Sequence, residues 1–196
     1  MFARSIIRLF LLAGCLAPFS LIRAEEILLT IPQPPPGNYS QYFGRSVANV
    51  GDHHGDGHDD YIVGMPGYSA SGGSTVGRMY FFSGGPGLFS EPQWISIGSG
   101  WDNRMGWSVT GLGDFNADGQ PDYASSHPGA ETPGVRVFYG GPDQDGNWDL
   151  ELTNAEPYSW FGGTISGGHD LNGDGHPDLA VAANLDATGI SDSGRI

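Results

Sequence analysis

The sequence has 196 residues, the size of one ordinary domain, with 22 acidic residues against 8 basic ones and a net charge of −14. That balance argues against a nucleic-acid or anionic-membrane partner and favours a protein that holds cations. The single cysteine excludes an internal disulfide framework, so a packed core or a bound metal must provide stability. The 33 glycines and 14 prolines indicate short strands joined by tight turns, and an aromatic content of 12% favours a packed core over disorder.

Residues 1–24 are predicted to be a secretory signal peptide. Arg4 and Arg8 begin it, an apolar run follows over residues 9–22, and cleavage is expected after Ala24. The run is too short to span a bilayer comfortably, so no transmembrane segment is predicted. The rival interpretation is a bacterial lipobox over residues 12–15, in which Cys15 would be acylated and would anchor the protein at the cell surface.

Either route places the mature chain outside the cell, as a secreted, extracellular or surface protein. Cleavage after Ala24 removes three of the eight basic residues and no acidic one, which leaves five against 22 and a net charge of −17. Residues 25–42 are predicted to be an N-terminal linker or strand.

From residue 43 onward one unit recurs three times. The copies begin at Phe43-Gly44, Met105-Gly106 and Phe161-Gly162, and each reaches an acidic loop nine residues after its first residue. The spacing between copies varies, 62 and then 56 residues, as expected for constant cores joined by variable loops. The predicted units are residues 43–104, 105–160 and 161–196, the last one incomplete.

Each unit is predicted to hold four short strands. In the first unit, strands flank the acidic loop, a third covers residues 78–82 and a fourth surrounds residues 94–97. In the second unit the corresponding third and fourth strands cover residues 135–139 and 148–152. Four strands in roughly 60 residues are typical of a β-propeller blade, so an all-β fold is expected.

The Phe-Gly start, the Asp-x-Asn-x-Asp-Gly-x-x-Asp loop and the Gly-x-Pro after the second strand resemble FG-GAP repeats. The departures are Met105 in place of Phe, Ser126-His127-Pro128 without its Gly, and Ala182-Ala183-Asn184 without Gly or Pro. The resemblance covers residues 43–196 and implies the fold of integrin α-subunits and many secreted bacterial proteins. It implies about three blades of a seven-bladed ring, with further blades expected to be encoded downstream.

The three acidic loops are predicted to bind up to three structural Ca²⁺ ions, because hard oxygens recur at positions 1, 5, 7 (a backbone carbonyl) and 9 of each loop, and at position 3 of the second and third loops. They are not EF-hands, since position 12 is never acidic. A solvated acidic hairpin without metal is the alternative. The predicted ligands are Asp52, Asp56, the carbonyl of His58 and Asp60; Asp114, Asn116, Asp118, the carbonyl of Gln120 and Asp122; and Asp170, Asn172, Asp174, the carbonyl of His176 and Asp178.

Histidine at position 3 of the first loop, His54, predicts the weakest of the three sites, because imidazole is a poor calcium ligand. Zinc is disfavoured for His53, His54 and His58, since no Cys and no His-Glu-x-x-His accompany them. No role is expected for His127. The tryptophans are predicted to lie in the core between blades rather than to form a sugar-binding platform; they are Trp94, Trp101, Trp107, Trp148 and Trp160.

These features favour a calcium-binding extracellular module for cell-surface adhesion or ligand binding over an enzyme. The expected partner is an extracellular protein or a carbohydrate, and not nucleic acid. The alternatives are a carbohydrate-binding or accessory domain of a secreted hydrolase or lyase whose catalytic part is absent from this chain, and a catalytic propeller. A shared fold does not decide among them.

Overall fold

The computed structural model describes residues 42–69, 73–85, 92–142, 144–154, 156–157 and 159–184. The predicted signal peptide, Cys15, nearly all of the predicted linker and the end of the third unit lie outside these residues. All regular structure in the described part of the chain is β. The ten strands are β1 (Val47–Gly51), β2 (Asp60–Met65), β3 (Arg78–Phe82), β4 (Trp94–Ile97), β5 (Val109–Gly113), β6 (Asp122–His127), β7 (Gly134–Phe138), β8 (Leu150–Thr153), β9 (Phe161–His169) and β10 (Asp178–Ala183).

The strands form three antiparallel sheets, and this confirms the predicted all-β architecture of propeller blades. One sheet has the order β1-β2-β3-β4, the next has the order β5-β6-β7-β8, and β9 pairs with β10 as a hairpin. The equivalent residues Gly51 and Gly113 shift the register of the first strand pair in both complete blades. Both have a positive φ, 76° and 66°, which glycine adopts without steric cost.

The blades pack face to face through two apolar layers, and all six residues of β6 are buried because both faces of this strand are covered. Tyr123 belongs to a cluster shared with the first blade, whereas the next residue, Ala124, belongs to a cluster shared with the β9–β10 hairpin. Successive strand residues point to opposite faces, so one strand contributes to both layers. Met105, which replaces the family's Phe, is buried in the cluster that is shared with the first blade.

The acidic loops all lie at one edge of the blades, because each joins the first two antiparallel strands of its sheet. At this acidic-loop edge the first two loops touch: His53 Nδ1 lies 2.7 Å from the carbonyl oxygen of Pro121. The opposite edge carries the connection from β4 to β5 and the turn between β6 and β7. The two edges therefore differ in chemistry, and each contains a candidate site.

Candidate functional site

The aspartate at position 9 anchors each acidic loop to the sheet. Asp122 is fully buried, and its carboxylate accepts three backbone N–H groups: Phe115 N at 2.7 Å, Asn116 N at 3.1 Å and Gly140 N at 2.8 Å. Burial raises the pKa of Asp122, and the three donors act in the opposite direction. Asp122 thus joins the start of its loop to the end of β7.

The other two loops repeat this arrangement. Asp60 is also fully buried and accepts from His53 N at 3.1 Å and from Gly84 N at 2.7 Å. Asp178 is only partly buried and accepts from Leu171 N at 2.7 Å and Asn172 N at 3.2 Å. The position 9 aspartates therefore have a structural role that is independent of any ion.

The aspartate at position 1 of each loop accepts the N–H of the glycine at position 6. These distances are 2.8 Å for Asp52, 2.9 Å for Asp114 and 2.8 Å for Asp170. The hydrogen bonds from Gly57 and Gly175 lower the pKa of Asp52 and Asp170, so both stay ionised. Asp114 differs, because its Oδ1 is buried and has no hydrogen-bond partner.

The side chains at positions 3, 5 and 9 converge in the third loop. Asn172 Nδ2 donates to Asp174 Oδ2 at 3.0 Å and to Asp178 Oδ1 at 3.3 Å, so one polarised amide group lies between two carboxylates. In the second loop Asn116 Nδ2 donates to Asp118 Oδ2 at 2.8 Å. The side-chain amides of these two asparagines therefore satisfy carboxylate oxygens within their own loops.

The residues at position 7 of the three loops are held in place by hydrogen bonds that their backbone N–H groups donate. His58, Gln120 and His176 each donate to the aspartate at position 5, at 2.9, 2.8 and 2.9 Å. Their carbonyl groups stay predicted ligands. Among the residues that the structure describes, no three His, Cys, Asp or Glu side chains are grouped so that they could hold a metal ion. The loop oxygens instead bond to backbone N–H groups.

The first loop has a different interior. His54 Nδ1 lies 2.9 Å from Asp60 Oδ2 and 3.3 Å from Ser83 Oγ, so the imidazole contacts the carboxylate at position 9. His53 is buried at the contact with the second blade, where its Nε2 bonds to Gln144 Oε1. Both histidines are engaged with the protein itself, which is consistent with the low calcium affinity predicted for this loop.

A second group of polar residues lies at the opposite edge, around His127. This side chain ends β6 and is only 2% exposed, although the sequence suggested no role for it. Burial and the nearby Arg136 guanidinium lower the pKa of His127 to about 4, while Glu151, with Oε1 at 3.2 Å from Nε2, acts in the opposite direction. The folded protein therefore holds His127 neutral at pH 7.

The neutral state of His127 predicts an acid-sensitive stability. An unfolded histidine titrates near pH 6.5, so the unfolded state takes up a proton between pH 6.5 and about 4 that the folded state does not. The free energy of unfolding should fall across this window, by about 2 kcal/mol between pH 7 and pH 5. In urea titrations at both pH values, His127→Gln should lose less stability than the wild type. Equal losses in the two proteins would contradict the assignment.

The tryptophan prediction is partly wrong. Trp94 packs against the apolar cluster between the first two blades, and Trp107 meets Trp160 edge to face with ring centres 5.0 Å apart. Trp101, however, is 76% exposed and Trp148 is 45% exposed. Both lie outside the core, and of the two Trp148 has the Arg136 guanidinium over its ring, 5.5 Å from the ring centre.

Three units with a Phe-Gly or Met-Gly start, antiparallel blades and an acidic loop at one edge define a protein of FG-GAP repeats folded as β-propeller blades. The model of the FG-GAP repeat family matches residues 161–196. The chain belongs to this family and is integrin-alpha-like, as the following relatives show.

The chain is similar to integrin alpha subunits over about three quarters of its length. It is 38% identical to integrin alpha-PS2 of Drosophila melanogaster over 162 residues, 73% of this chain and 11% of that protein. It is 34% identical to integrin alpha-IIb of Mus musculus over 165 residues and 36% identical to integrin alpha-5 of Xenopus laevis over 160 residues, in both cases 74% of this chain. It spans only 15% of either of these two relatives. No helix in the described residues is long and apolar enough to cross a membrane.

Proposed function

We propose that this chain is a calcium-stabilised β-propeller module that acts outside the cell by binding a protein or carbohydrate ligand. The proposal includes a ring of seven blades, to which further FG-GAP repeats would contribute. The similarity to integrin alpha subunits supports a binding function over catalysis. The predicted signal peptide supports the extracellular location.

The observation that carries the calcium proposal is the unpaired Oδ1 of Asp114. A buried carboxylate oxygen without a partner loses its hydration and gains nothing in return. Asn116, Asp118 and Asp122 belong to the same loop and carry only hard oxygen ligands, the chemistry that Ca²⁺ selects. The donor chemistry of the second loop therefore suits the ion, which would have to draw together carboxylates that now bond to backbone N–H groups.

A bound Ca²⁺ would offset the mutual repulsion of the loop carboxylates. Asp114, Asn116, Asp118, the Gln120 carbonyl and Asp122 would hold it in the second loop. Asp170, Asn172, Asp174, the His176 carbonyl and Asp178 would do so in the third. We expect the first loop, with Asp52, Asp56, the His58 carbonyl and Asp60, to bind last, because His54 already occupies Asp60.

Calorimetric and thermal titrations with Ca²⁺ test the proposal. Extracellular modules bind Ca²⁺ with Kd of about 10⁻⁴ to 10⁻³ M, and a hundredfold excess over Kd adds about 2.7 kcal/mol per site. The melting temperature should therefore rise by several degrees with Ca²⁺ and fall again with chelator. Asp114→Asn should remove one binding event, since it deletes the charge but keeps the shape.

The matched control is Asp145→Asn. It makes the same substitution at an exposed aspartate, in a loop that does not carry the repeated acidic motif. This variant should bind as many ions as the wild type. A calcium response that is the same in Asp114→Asn and the wild type would refute the assignment to the second loop. No heat and no thermal shift in the wild type would refute calcium binding altogether.

A further inference from the structure

A cleft of about 320 Å³ opens at the edge opposite the acidic loops, between the β4–β5 connection and the second blade. Trp101 and Asn103 line one side of it, and His127, Arg136 and Glu151 line the other. The cleft is small, near the lower limit for a small-molecule site, and so has room for a ligand of about one ring.

One deeply buried polar atom in the cleft, Asn103 Oδ1, has no partner among the described residues. His127 Nε2 meets only the carboxylate oxygen of Glu151, at 3.2 Å, and the residues Asn103 and His127 are 3% and 2% exposed. Asn103 Nδ2 faces His127 Nδ1 at 3.3 Å, which places the imidazole proton on Nε2. The cleft thus presents an unused acceptor beside an imidazole–carboxylate pair. Leaving that acceptor unpaired costs stability, so a ligand that donates to it is favoured.

The first blade shows that the fold does not require this polar set. Strand register makes Met65 the counterpart of His127, Tyr80 that of Arg136 and Ile95 that of Glu151. The first blade fills the three positions with Met65, Tyr80 and Ile95, and Tyr80 donates its hydroxyl to Met65 Sδ at 3.3 Å. The second blade replaces this group by an imidazole, a guanidinium and a carboxylate.

The residue paired with His127 has changed as well. His127 pairs with Gly134, whereas Met65 pairs with Arg78. A Cβ at position 134 would lie 2.7 Å from two atoms of the His127 ring, so only glycine leaves room for the imidazole. The histidine at position 127 and the glycine at position 134 therefore depend on each other, as expected if the two residues form part of one site.

The chemistry of the lining indicates the ligand class. Arg136 Nε donates to Glu151 Oε1 at 2.9 Å, so both planar groups are held in place at the cleft. Trp101 offers an exposed, flat apolar surface at the rim. A pyranose has one apolar ring face and hydroxyls that donate and accept at once, which matches an indole next to paired donors and acceptors.

We propose that this cleft binds a single pyranose unit of a glycan, with Trp101 against the apolar ring face and Asn103, His127 and Glu151 bonded to hydroxyls. The proposal rests on the function of the chain as an extracellular binding module, and it assigns carbohydrate as the ligand class. It does not depend on which acidic loop binds calcium.

Calorimetric titration of the full chain with methyl pyranosides of glucose, galactose, mannose and N-acetylglucosamine tests the proposal. For ligands of this size at least one should bind with a Kd on the order of 1 mM. Trp101→Ala should weaken binding by about 10-fold or more, and the exposure of this residue makes misfolding an unimportant concern. His127→Met, which introduces the residue found at the equivalent position of the first blade, should abolish binding, and its melting temperature checks that the variant is folded.

The matched control is Ile95→Ala, at the first-blade position equivalent to Glu151, which should bind as the wild type does. Titrations in saturating Ca²⁺ with melting temperatures recorded in parallel separate the two proposals. A calcium-dependent melting temperature without binding of any pyranoside at about 50 mM would overturn the sugar site alone. Equal affinity in Trp101→Ala, His127→Met and the wild type would also overturn it. Sugar binding without any calcium response would overturn only the calcium proposal.

Discussion

Asp122→Ala should cost about 3–5 kcal/mol of unfolding free energy even in the presence of a chelator. The substitution leaves Phe115 N, Asn116 N and Gly140 N without the carboxylate that now accepts them. Phe115 and Gly140 are partly buried, and a donor left without a partner away from water costs about 1–3 kcal/mol, whereas water can replace the carboxylate at the exposed Asn116. A domain is stable by only about 5–15 kcal/mol in total. Urea unfolding in chelator measures this loss separately from any effect of an ion.

Asp178→Ala is the matched control, because Asp178 holds the same position in the third loop. Its donors, Leu171 N and Asn172 N, belong to exposed residues, so water can replace the carboxylate. We expect a loss of about 1 kcal/mol or less. If the two variants lost the same stability in chelator, burial would not be the cause, and the anchoring role of Asp122 would be wrong.

Gly106→Ala should destabilise the protein by a similar amount, about 3–5 kcal/mol, for a steric reason. Gly106 has a φ of 81°, and a Cβ there would lie 2.3 Å from the carbonyl oxygen of Arg78 and 2.9 Å from Gly64 Cα. Both obstacles are backbone atoms of the first blade, so they can yield only if the blades move apart. Thermal or urea unfolding measures the effect.

Gly44→Ala separates the two contributions to that cost. Gly44 has nearly the same φ, 80°, and its N–H bonds to Gly64 O at 3.0 Å, as Gly106 N bonds to Ser126 O at 3.1 Å. A Cβ on Gly44 meets no described atom within 4 Å, so only the backbone conformation is penalised. We expect a loss of about 1–2 kcal/mol. Equal losses at the two positions would show that contact between blades is not what requires glycine.

The glycine at the start of each repeat thus has a physical explanation. The glycine of each unit, Gly44, Gly106 or Gly162, has a φ of 80–86°, which favours glycine even without neighbours. Where another blade packs against it, as at Gly106, the absent Cβ also lets the two backbones approach. The same close approach explains Gly64 in the first unit, because a Cβ there would lie 2.0 Å from the carbonyl oxygen of Gly106.

Much of the fold was predictable from local sequence. The unit of 43–104 predicted strands that correspond to β1–β4, including the fourth strand at residues 94–97, and the loops fell where the aspartates recur. Short strands bounded by glycine and aspartate depend on backbone preference and side-chain alternation, which are local properties. The β-propeller class followed from the repeat, because one such unit cannot bury its own faces.

The site was predictable only in part. The sequence named the oxygens of the acidic loops, because their spacing is contained within nine residues. It did not reveal that Asp122 is fully buried and anchors Gly140, or that His54 bonds to Asp60, since these contacts depend on where β7 ends and how the loop turns. One feature of the repeats could have indicated the cleft: His127 is a polar residue at the position where the other units have Met65 and Ala183.

Sequence alone therefore determined the repeat, the strands and the oxygen-rich loops of this protein, because each is encoded in residues that are neighbours along the chain. Only the tertiary structure decided which aspartates are buried, which tryptophans face solvent and which polar residues meet in the cleft. Asn103, His127 and Glu151 are far apart in sequence and come together through the pairing of β6, β7 and β8 and the packing of the β4–β5 connection against them. Contacts of that kind depend on strand register and on the packing of one blade against the next, and no local pattern encodes either.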